Sequence, residues 1–210
     1  MRNEERSGGP LPKRVWLWLW GSAWLILPFI IAGIGFISAG FFDPPLAGPL
    51  QAHAQLAPVT VSAEQTRITA LPLTVHTPFS LQMSARLAEG SAETSYGLQF
   101  ADGNRQLMVA VSPAGYVRVW QVVGGQTTEW LPWQPWPHVR SGSAVNTWWV
   151  NGGVEQGSLV VRLNGERLWR APQADYCRSE AGCRVSLWGN SLTGQATLDF
   201  REWRLYAPNP

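Results

Sequence analysis

Residues 15–42 constrain this chain more than any other stretch, because these 28 positions carry no charged side chain. A helix of about 20 apolar residues is long enough to cross the hydrocarbon core of a bilayer. A helix that is apolar on every side also does not suit the surface of a soluble domain. The sequence therefore predicts a transmembrane helix over residues 15–42, preceded by a short polar tail, residues 1–14.

Charges on the two sides of this segment predict its orientation. Lys13 and Arg14 precede it and Asp43 follows it; basic flanks stay in the cytoplasm, so residues 43–210 are expected outside the cytoplasmic membrane. The alternative is a cleaved signal peptide, since Ala52-His53-Ala54 resembles a cleavage site. The apolar core of a signal peptide is only 7–15 residues long, so we expect a retained anchor surrounded by membrane lipid.

Four positions of the segment are candidates for packing against partner transmembrane helices. Trp24 lies about 12 Å deeper along the helix axis than Trp16, and such an aromatic either extends the interfacial belt or contacts a partner. Ala32, Gly35 and Ala39 fall on one face, where small side chains allow two helices to approach closely. Ordinary membrane-helix composition accounts for these small residues equally well.

The exported part is electrically neutral, with 12 Arg and 12 acidic residues between positions 43 and 210. Binding of nucleic acid requires a concentrated basic face, so that class of partner is excluded. Residues 43–58 are rich in Pro, Ala, Gly and Gln, and they predict a semi-extended linker. Residues 59–210 are long enough for one domain with its own core.

The chain has two cysteines, Cys177 and Cys183, and both lie in the exported part. An oxidising compartment permits a disulfide between them. The alternatives are free thiols or half of a metal site, but no His neighbours them and no second Cys pair exists, which disfavours zinc. We expect the disulfide, and no bound metal or cofactor.

Alternation of apolar and polar residues dominates the exported part and predicts half-buried strands. It is clearest from Phe79 to Leu87, and the closing run changes phase near Arg201, which predicts a bulge. Asn164-Gly165 separates two apolar runs and predicts a tight hairpin. Further alternating runs are centred on residues 96–100, 107–111, 159–163 and 185–187, whereas residues 115–123 are apolar on both faces except for Arg118 and Gln121, as in a central strand. Many short strands with such turns predict an all-β, antiparallel sandwich.

The order of these runs resembles one family of folds. The segments that carry the resemblance are Phe79-Ser-Leu-Gln-Met, Tyr96-Gly-Leu-Gln-Phe100, Met108-Val-Ala-Val-Ser-Pro-Ala-Gly-Tyr116, Ala144-Val-Asn146, Leu159-Val-Val-Arg-Leu-Asn-Gly165 and Ala196-Thr-Leu-Asp-Phe200. Over about residues 75–206 the chain is similar to the concanavalin A-like, laminin G-like jelly rolls, including 3-keto-disaccharide hydrolase-type domains. The resemblance implies a jelly-roll sandwich, and its members include glycan-binding modules, glycosidases and structural domains.

Catalytic patterns do not emerge from the exported residues. A glycosidase needs two carboxylates across a cleft, and the chain lacks the Glu-x-Asp-x-x-Glu pattern of jelly-roll glucanases. Asp199 and Glu202 are close in sequence, but we expect them to pair with Arg201 and Arg204. The three histidines lie in no nucleophile motif. We therefore predict no catalytic residues, with a glycosidase-like hydrolase as the third reading of function.

The main candidate ligand site is Trp130-Leu-Pro-Trp133-Gln-Pro-Trp136. Its prolines favour polyproline II, which has three residues per turn and would align the three indoles about 9 Å apart. Such a row could stack on sugar rings or on a protein partner, whereas the alternative is that the indoles cover the open end of the sandwich. Related domains often carry Trp here as packing.

The sequence leads to one preferred function and one rival. We expect a membrane-anchored, non-catalytic binding module for a glycan or a protein at the outer face of the membrane. The rival is a structural or accessory subunit of a larger membrane complex, docked through the Trp-rich helix. Arg162 and Arg167 are a separate feature: the predicted hairpin places them directly opposite each other, where like charges repel.

Overall fold

The computed structural model describes residues 24, 26–28, 48–155, 158–171 and 176–207. Trp24 and residues 26–28 are helical, and Trp24 is 68% exposed. Among the described residues there is no helix with the length and apolar character needed to cross a membrane. Most of the predicted anchor lies outside the described residues. The predicted tail and the packing positions Ala32, Gly35 and Ala39 lie outside them as well.

The described part of residues 45–210 forms thirteen strands in two antiparallel sheets. They are β1 Leu50–Gln55, β2 Val59–Val61, β3 Gln65–Val75, β4 Phe79–Glu89, β5 Thr94–Asp102, β6 Arg105–Ser112, β7 Tyr116–Val123, β8 Gln126–Pro135, β9 Asn146–Glu155, β10 Ser158–Leu163, β11 Glu166–Arg170, β12 Cys183–Ser191 and β13 Ala196–Tyr206. Sheet A has the order β1-β13-β4-β9-β10-β11, with β2 also paired to β13. Sheet B has the order β3-β12-β5-β6-β7-β8. The predicted jelly-roll-like sandwich is confirmed.

The core lies between the inner faces of the two sheets, as period-two strands require. Tyr96 of sheet B and Trp148 of sheet A meet edge to face with their ring centroids 5.8 Å apart. Asn146 Nδ2 donates to the Tyr96 hydroxyl at 3.2 Å. Burial raises the pKa of the Tyr96 phenol, and the hydrogen bond from Asn146 offsets part of that rise. Trp148 is fully buried, while its neighbour Trp149 points to the opposite face of sheet A and is half-buried.

Several local predictions hold. Asn164-Gly165 is a two-residue turn between β10 and β11, and both residues have positive φ, as a twist-compatible hairpin requires. The register of β13 against β4 shifts between Phe200 and Glu202, which confirms the bulge near Arg201. Asp199 lies 2.9 Å from the Arg86 guanidinium and 3.6 Å from that of Arg201.

The disulfide between Cys177 and Cys183 is also confirmed, and both cysteines are buried. Its loop is held to the β5–β6 turn by Asp102, whose carboxylate accepts the Cys177 N–H at 3.2 Å and the Ser179 hydroxyl at 2.7 Å. This role of Asp102 was not visible in the sequence, because its partners lie about 75 residues further along the chain.

The predicted linker over residues 43–58 is wrong for residues 50–55, which form β1 at the edge of sheet A. Ala52 and Ala54 pack against the core, while Gln51, His53 and Gln55 face outward. Alanine and glutamine carry a weak hydrophobic contrast, so the period-two pattern was hidden. The domain therefore starts earlier than the predicted boundary at residue 59.

Candidate functional site

The three tryptophans of the predicted row do not form a row. Residues 126–135 are strand β8, hydrogen-bonded to β7, so the backbone follows a ladder rather than a three-residue polyproline turn. Two register shifts interrupt that ladder opposite Val117–Trp120. Because side chains alternate along a strand, three-residue spacing cannot keep the indoles on one face. The polyproline II prediction is therefore wrong.

Each indole has a different environment. Trp130 donates its Nε1–H to Gln121 Oε1 at 3.1 Å, and its ring lies 6.5 Å from that of Trp169 on sheet A. Trp136 is half-buried and packs against the core between the sheets. Trp133 lines a depression on the outer face of sheet B. Only one of the three predicted ligand-binding residues thus lies in this hollow.

Below we call this hollow the sheet B depression, and its volume is about 450 Å³. That lies within the range of 300–1,000 Å³ that is typical of small-molecule sites. Strands β3, β5, β7, β8 and β12 contribute its lining. The lining residues are Thr66, Ser95, Arg118, Trp120, Thr127, Trp133, Trp188, Asn190 and Leu192.

Two small residues lie in the middle of the outer face of sheet B. The register aligns Trp188 of β12, Gly97 of β5, Ala110 of β6 and Arg118 of β7 in one row across the sheet. Gly97 and Ala110 have almost no side chain to fill the space above them. The ring of Trp188 therefore extends over them to meet Trp120 edge to face, with the ring centroids 5.1 Å apart.

Strand register also explains why β5 carries glycine here. A Cβ atom added at Gly97 would collide with the carbonyl oxygen of Val109 and would approach Ala110 Cα to 2.8 Å. These are backbone atoms of the neighbouring strand, which cannot move aside as a flexible side chain can. The close approach of β5 and β6 therefore requires glycine at position 97.

One cation is fixed at the side of the depression. The Arg118 guanidinium forms an ion pair with Glu129 and lies over the Trp120 ring, 4.6 Å from its centroid. Cation–π contact holds a guanidinium against an indole face, so Arg118 and Trp120 stiffen each other. Trp120 itself is buried in a small cluster with Met108 and Ala110. This cluster lies on the outer face of sheet B, separate from the main core.

Polar groups occupy the opposite side. Asn190 Nδ2 donates to Thr66 Oγ1 at 2.9 Å, and Ser95 completes this side of the lining. Trp133 faces them and is 39% exposed. An accessible indole opposite hydroxyl and amide groups can hold a ring that has an apolar face and hydroxyl substituents. It can equally hold an apolar side chain of a protein.

Sequence reasoning missed Trp120, Trp188, Arg118 and Asn190. A signal was present, because Arg118 and Trp120 alternate with the core residues Val117 and Val119 and so had to point outward. A large aromatic residue on the face opposite a buried set indicates a second apolar surface. The pairing of Trp120 with Trp188 could not be predicted, since it depends on the order of four strands.

No group of three or more His, Cys, Asp or Glu side chains suited to a metal ion occurs among the described residues. Asp199 and Glu202 pair with Arg201 and Arg204 as predicted, at 3.6 Å and 3.1 Å, and Asp199 also lies 2.9 Å from Arg86. These groups lie on sheet A, away from the sheet B depression. None of the described lining residues of the depression is Asp or Glu.

Comparison with known proteins identifies the fold. No family model and no curated protein matches the chain in sequence. The chain is similar in structure to carbohydrate-binding module CBM66 from Bacillus subtilis, with a TM-score of 0.51 and 10% identity over 78% of this chain and all of the other. It is also similar to the potassium-bound carbohydrate recognition domain of Emp46p (TM-score 0.53, 9% identity, 71% and 81% of the two chains).

A third similar structure is the Crh5 transglycosylase in complex with NAG, with a TM-score of 0.52 and 11% identity over 80% of this chain and 88% of the other. At such identities, likeness establishes architecture and not activity. The described part of residues 45–210 is a jelly-roll-like β-sandwich, an architecture that these similar structures, which include binding modules and an enzyme, also have.

Proposed function

We propose that this protein is a membrane-anchored, extracytoplasmic and non-catalytic module that binds a glycan in the sheet B depression. The observation that carries the proposal is the exposed Trp133 ring, placed opposite Thr66, Ser95 and Asn190 in a hollow of suitable size. Stacking supplies affinity for one face of a sugar ring, while the hydroxyl and amide groups supply orientation. Two of the similar structures are described as carbohydrate-binding.

Export and anchoring are part of the same proposal. The uncharged segment over residues 15–42 supports a membrane anchor, and its basic flank supports an outward-facing domain. The buried Cys177–Cys183 disulfide supports an oxidising compartment, because such bonds persist outside the cytosol. The module would then present the sheet B depression to glycans at the outer membrane face.

Absence of catalysis is likewise proposed. Glycoside hydrolysis uses two carboxylates facing a cleft. Among the described residues around the depression, Glu129 supplies the carboxylate within reach, and it forms an ion pair with Arg118. A single ion-paired carboxylate does not supply the acid and the nucleophile or base that the reaction needs.

Trp133→Ala tests the glycan proposal, with Trp130→Ala as its matched control. The two indoles lie in the same strand and are 39% and 38% exposed, but only Trp133 lines the depression. Stacking on an aromatic ring contributes about 1–3 kcal/mol, by analogy with bases on aromatic platforms. Trp133→Ala should weaken binding of a glycan selected on an array by about tenfold or more, measured by calorimetry, and Trp130→Ala should leave it unchanged.

Equal effects of the two substitutions on affinity would contradict a site in the depression. Melting temperature measured on the same proteins separates binding from packing. A large fall in melting temperature for Trp133→Ala alone would identify this indole as a packing residue, and the glycan proposal would lose its support.

A second candidate function is an accessory subunit that uses the same hollow for a protein partner. The observation that favours it is an apolar rim, because Ile68 and Leu192 are 54% and 59% exposed and lie beside Trp188 and Asn190. Apolar side chains at the rim suit a protein surface better than a sugar. Purification from mild detergent distinguishes the two candidate functions. A stoichiometric protein partner that copurifies with the wild type and is lost in Leu192→Asn would support the accessory-subunit function.

A further inference from the structure

One edge of sheet B is formed by β3, which pairs with β12 and with no other strand among those described. Residues 65–70 of β3 keep a continuous register against residues 186–191 of β12. In an antiparallel sheet, alternate residues direct both their N–H and their C=O toward the same neighbour. Every second residue between 65 and 70 therefore points these groups away from β12, where a further strand could add.

The other three sheet edges are less suited to an added strand. Strand β11 has five residues, and β1 has a register shift after Leu50. Strand β8 contains Pro132 and Pro135, and two register shifts interrupt its ladder. Short strands, prolines and bulges are devices by which proteins protect their sheet edges. Residues 65–70 of β3 have neither a proline nor a register shift, so this edge is available for pairing.

A groove of about 410 Å³ lies beside this edge. Its lining comes from residues 56–60, from β3 and from Leu187 of β12. Leu71 and Leu187 belong to the buried core, whereas Pro58 and Pro72 are exposed. An apolar side chain placed in this groove would meet core side chains and would be removed from water, which is favourable.

Arg67 supplies a positive charge to the groove lining. Its Nη1 donates to the Thr60 carbonyl oxygen at 3.1 Å, and the residue is exposed. Among the described residues, no Asp or Glu forms an ion pair with Arg67. A guanidinium has five N–H donors, so this single hydrogen bond leaves donors for a carboxylate. The groove thus combines apolar side chains with a position for one negative charge.

We propose that the free edge of β3 binds an extended segment of a partner protein, which adds to sheet B as a further strand. Backbone hydrogen bonds to residues 65–70 supply affinity, and alternate side chains of the segment enter the groove and supply specificity. Paired strands place side chains of one face opposite each other. The segment therefore carries an acidic residue opposite Arg67 and apolar residues opposite Thr69 and Leu71.

This site is distinct from the sheet B depression. Thr66 lines the depression and Arg67 lines the groove. Because successive side chains of a strand point to opposite faces, the two sites lie on opposite faces of β3. The proposal therefore does not depend on glycan binding in the depression.

Charge argues against a second copy of this chain as the occupant. Residues 65–70 read Gln-Thr-Arg-Ile-Thr-Ala and contain no acid. Two copies paired through this edge would bring two Arg67 cations together without a carboxylate, and like charges destabilise paired strands. The groove therefore favours a different protein, with an acidic residue in the segment that pairs.

The test measures the fluorescence anisotropy of labelled hexapeptides mixed with the full chain in detergent micelles. The probe is Thr-Glu-Thr-Val-Thr-Val, and its reversed sequence is included because a strand can add in either direction. We expect saturable binding of one of the two peptides, and about tenfold weaker binding when its Glu is replaced by Gln. Arg67→Gln should remove that preference for Glu. Because Arg67 is exposed, the substitution should not disturb folding.

Backbone pairing is tested with N-methylated probes on the wild-type protein. One isomer of the peptide that binds carries N-methyl groups on its threonines, and the other carries them on the remaining residues. Only alternate N–H groups of an added strand point toward β3, so one isomer should bind like the parent peptide and the other should lose binding. Equal affinities of the two isomers would assign the groove to side-chain contact alone, as for a lipid chain, and would overturn the proposal.

Arg184→Gln is the matched control, because Arg184 is an exposed arginine of β12 that does not line the groove. Its affinity for the peptide should equal that of the wild type, as should that of Trp133→Ala. An equal loss in Arg67→Gln and Arg184→Gln would overturn the proposal, and so would the absence of binding by both peptides. A dimer of the full chain that Arg67→Gln alters, without any peptide binding, would assign this edge to a second copy and would likewise overturn it.

Discussion

The outer faces of the two sheets differ in what occupies their centres. On sheet B, the central positions hold the small residues Gly97 and Ala110, and Trp120 and Trp188 meet edge to face beside the depression. On sheet A, the central position holds Gln82, whose Oε1 accepts a hydrogen bond from the Tyr206 hydroxyl. Trp149 lies beside it in the strand register. The first face has a depression beside an arginine that is paired with Glu129, and the second face is filled at its centre by side chains.

The largest effect is expected for Gly97→Ala, which tests whether the centre of sheet B depends on the close approach of β5 and β6. The added Cβ collides with the Val109 carbonyl oxygen, so the strands must separate. Overpacking of this kind costs about 1–3 kcal/mol and occasionally more, and we expect about 3 kcal/mol here. Urea unfolding gives the value.

Ser95→Ala is the control for this change, because it lies two residues earlier on the same strand and face. Ser95→Ala adds no atoms, so it should lower the free energy of unfolding by less than about 1 kcal/mol. If Gly97→Ala were as stable as Ser95→Ala, the close approach of β5 and β6 would not be what requires glycine at the centre of sheet B.

The disulfide ties one end of sheet B, and its removal should have the next largest effect. Replacement of both Cys177 and Cys183 by Ser should lower the free energy of unfolding by about 2 kcal/mol, because the closed loop is short. Ser179→Ala removes only the hydrogen bond to Asp102 and should cost about 1 kcal/mol. Thermal unfolding followed by circular dichroism measures both.

The smallest effect on stability is expected for Arg118→Gln, with Arg86→Gln as its counterpart on sheet A. Both arginines form partly exposed ion pairs, with Glu129 and Asp199 respectively. Pairs of this kind contribute less than about 1 kcal/mol, so neither change should lower the melting temperature by more than a few degrees. Glycan titration should distinguish the two variants, because Arg118, unlike Arg86, lies over the Trp120 ring that lines the sheet B depression. An equal loss of glycan affinity in the two variants would contradict that role.

Much of the fold was predictable because its signal is local. Alternation from Phe79 to Leu87 marked β4, Asn164-Gly165 marked a hairpin, and the phase change near Arg201 marked a bulge. Each of these features depends on residues within one strand or one turn. The two cysteines were also paired correctly, because only one pairing is possible.

The candidate sites were less predictable because they depend on contacts between distant residues. Considered alone, the segment suggested a row of Trp130, Trp133 and Trp136. Pairing of β8 with β7 instead imposes the two-residue periodicity of a strand. Trp120 and Trp188 lie on β7 and β12, which are separated in sheet B by β5 and β6. Strand β1 escaped notice because its alternation uses alanine and glutamine, and the predicted anchor remains a prediction.

The position of β1 also has a mechanical consequence. This strand follows the segment proposed as the anchor, lies at the edge of sheet A and is hydrogen-bonded to β13 alone. Tension between a membrane and a bound ligand would reach the domain first at Gly48, whose N–H donates to Ala207 O. The ladder would open from that end one residue at a time, releasing about 20 Å of slack at 3.3 Å per residue. Strand β1 would then act as an extensible tether that yields before the load reaches β13 and the core.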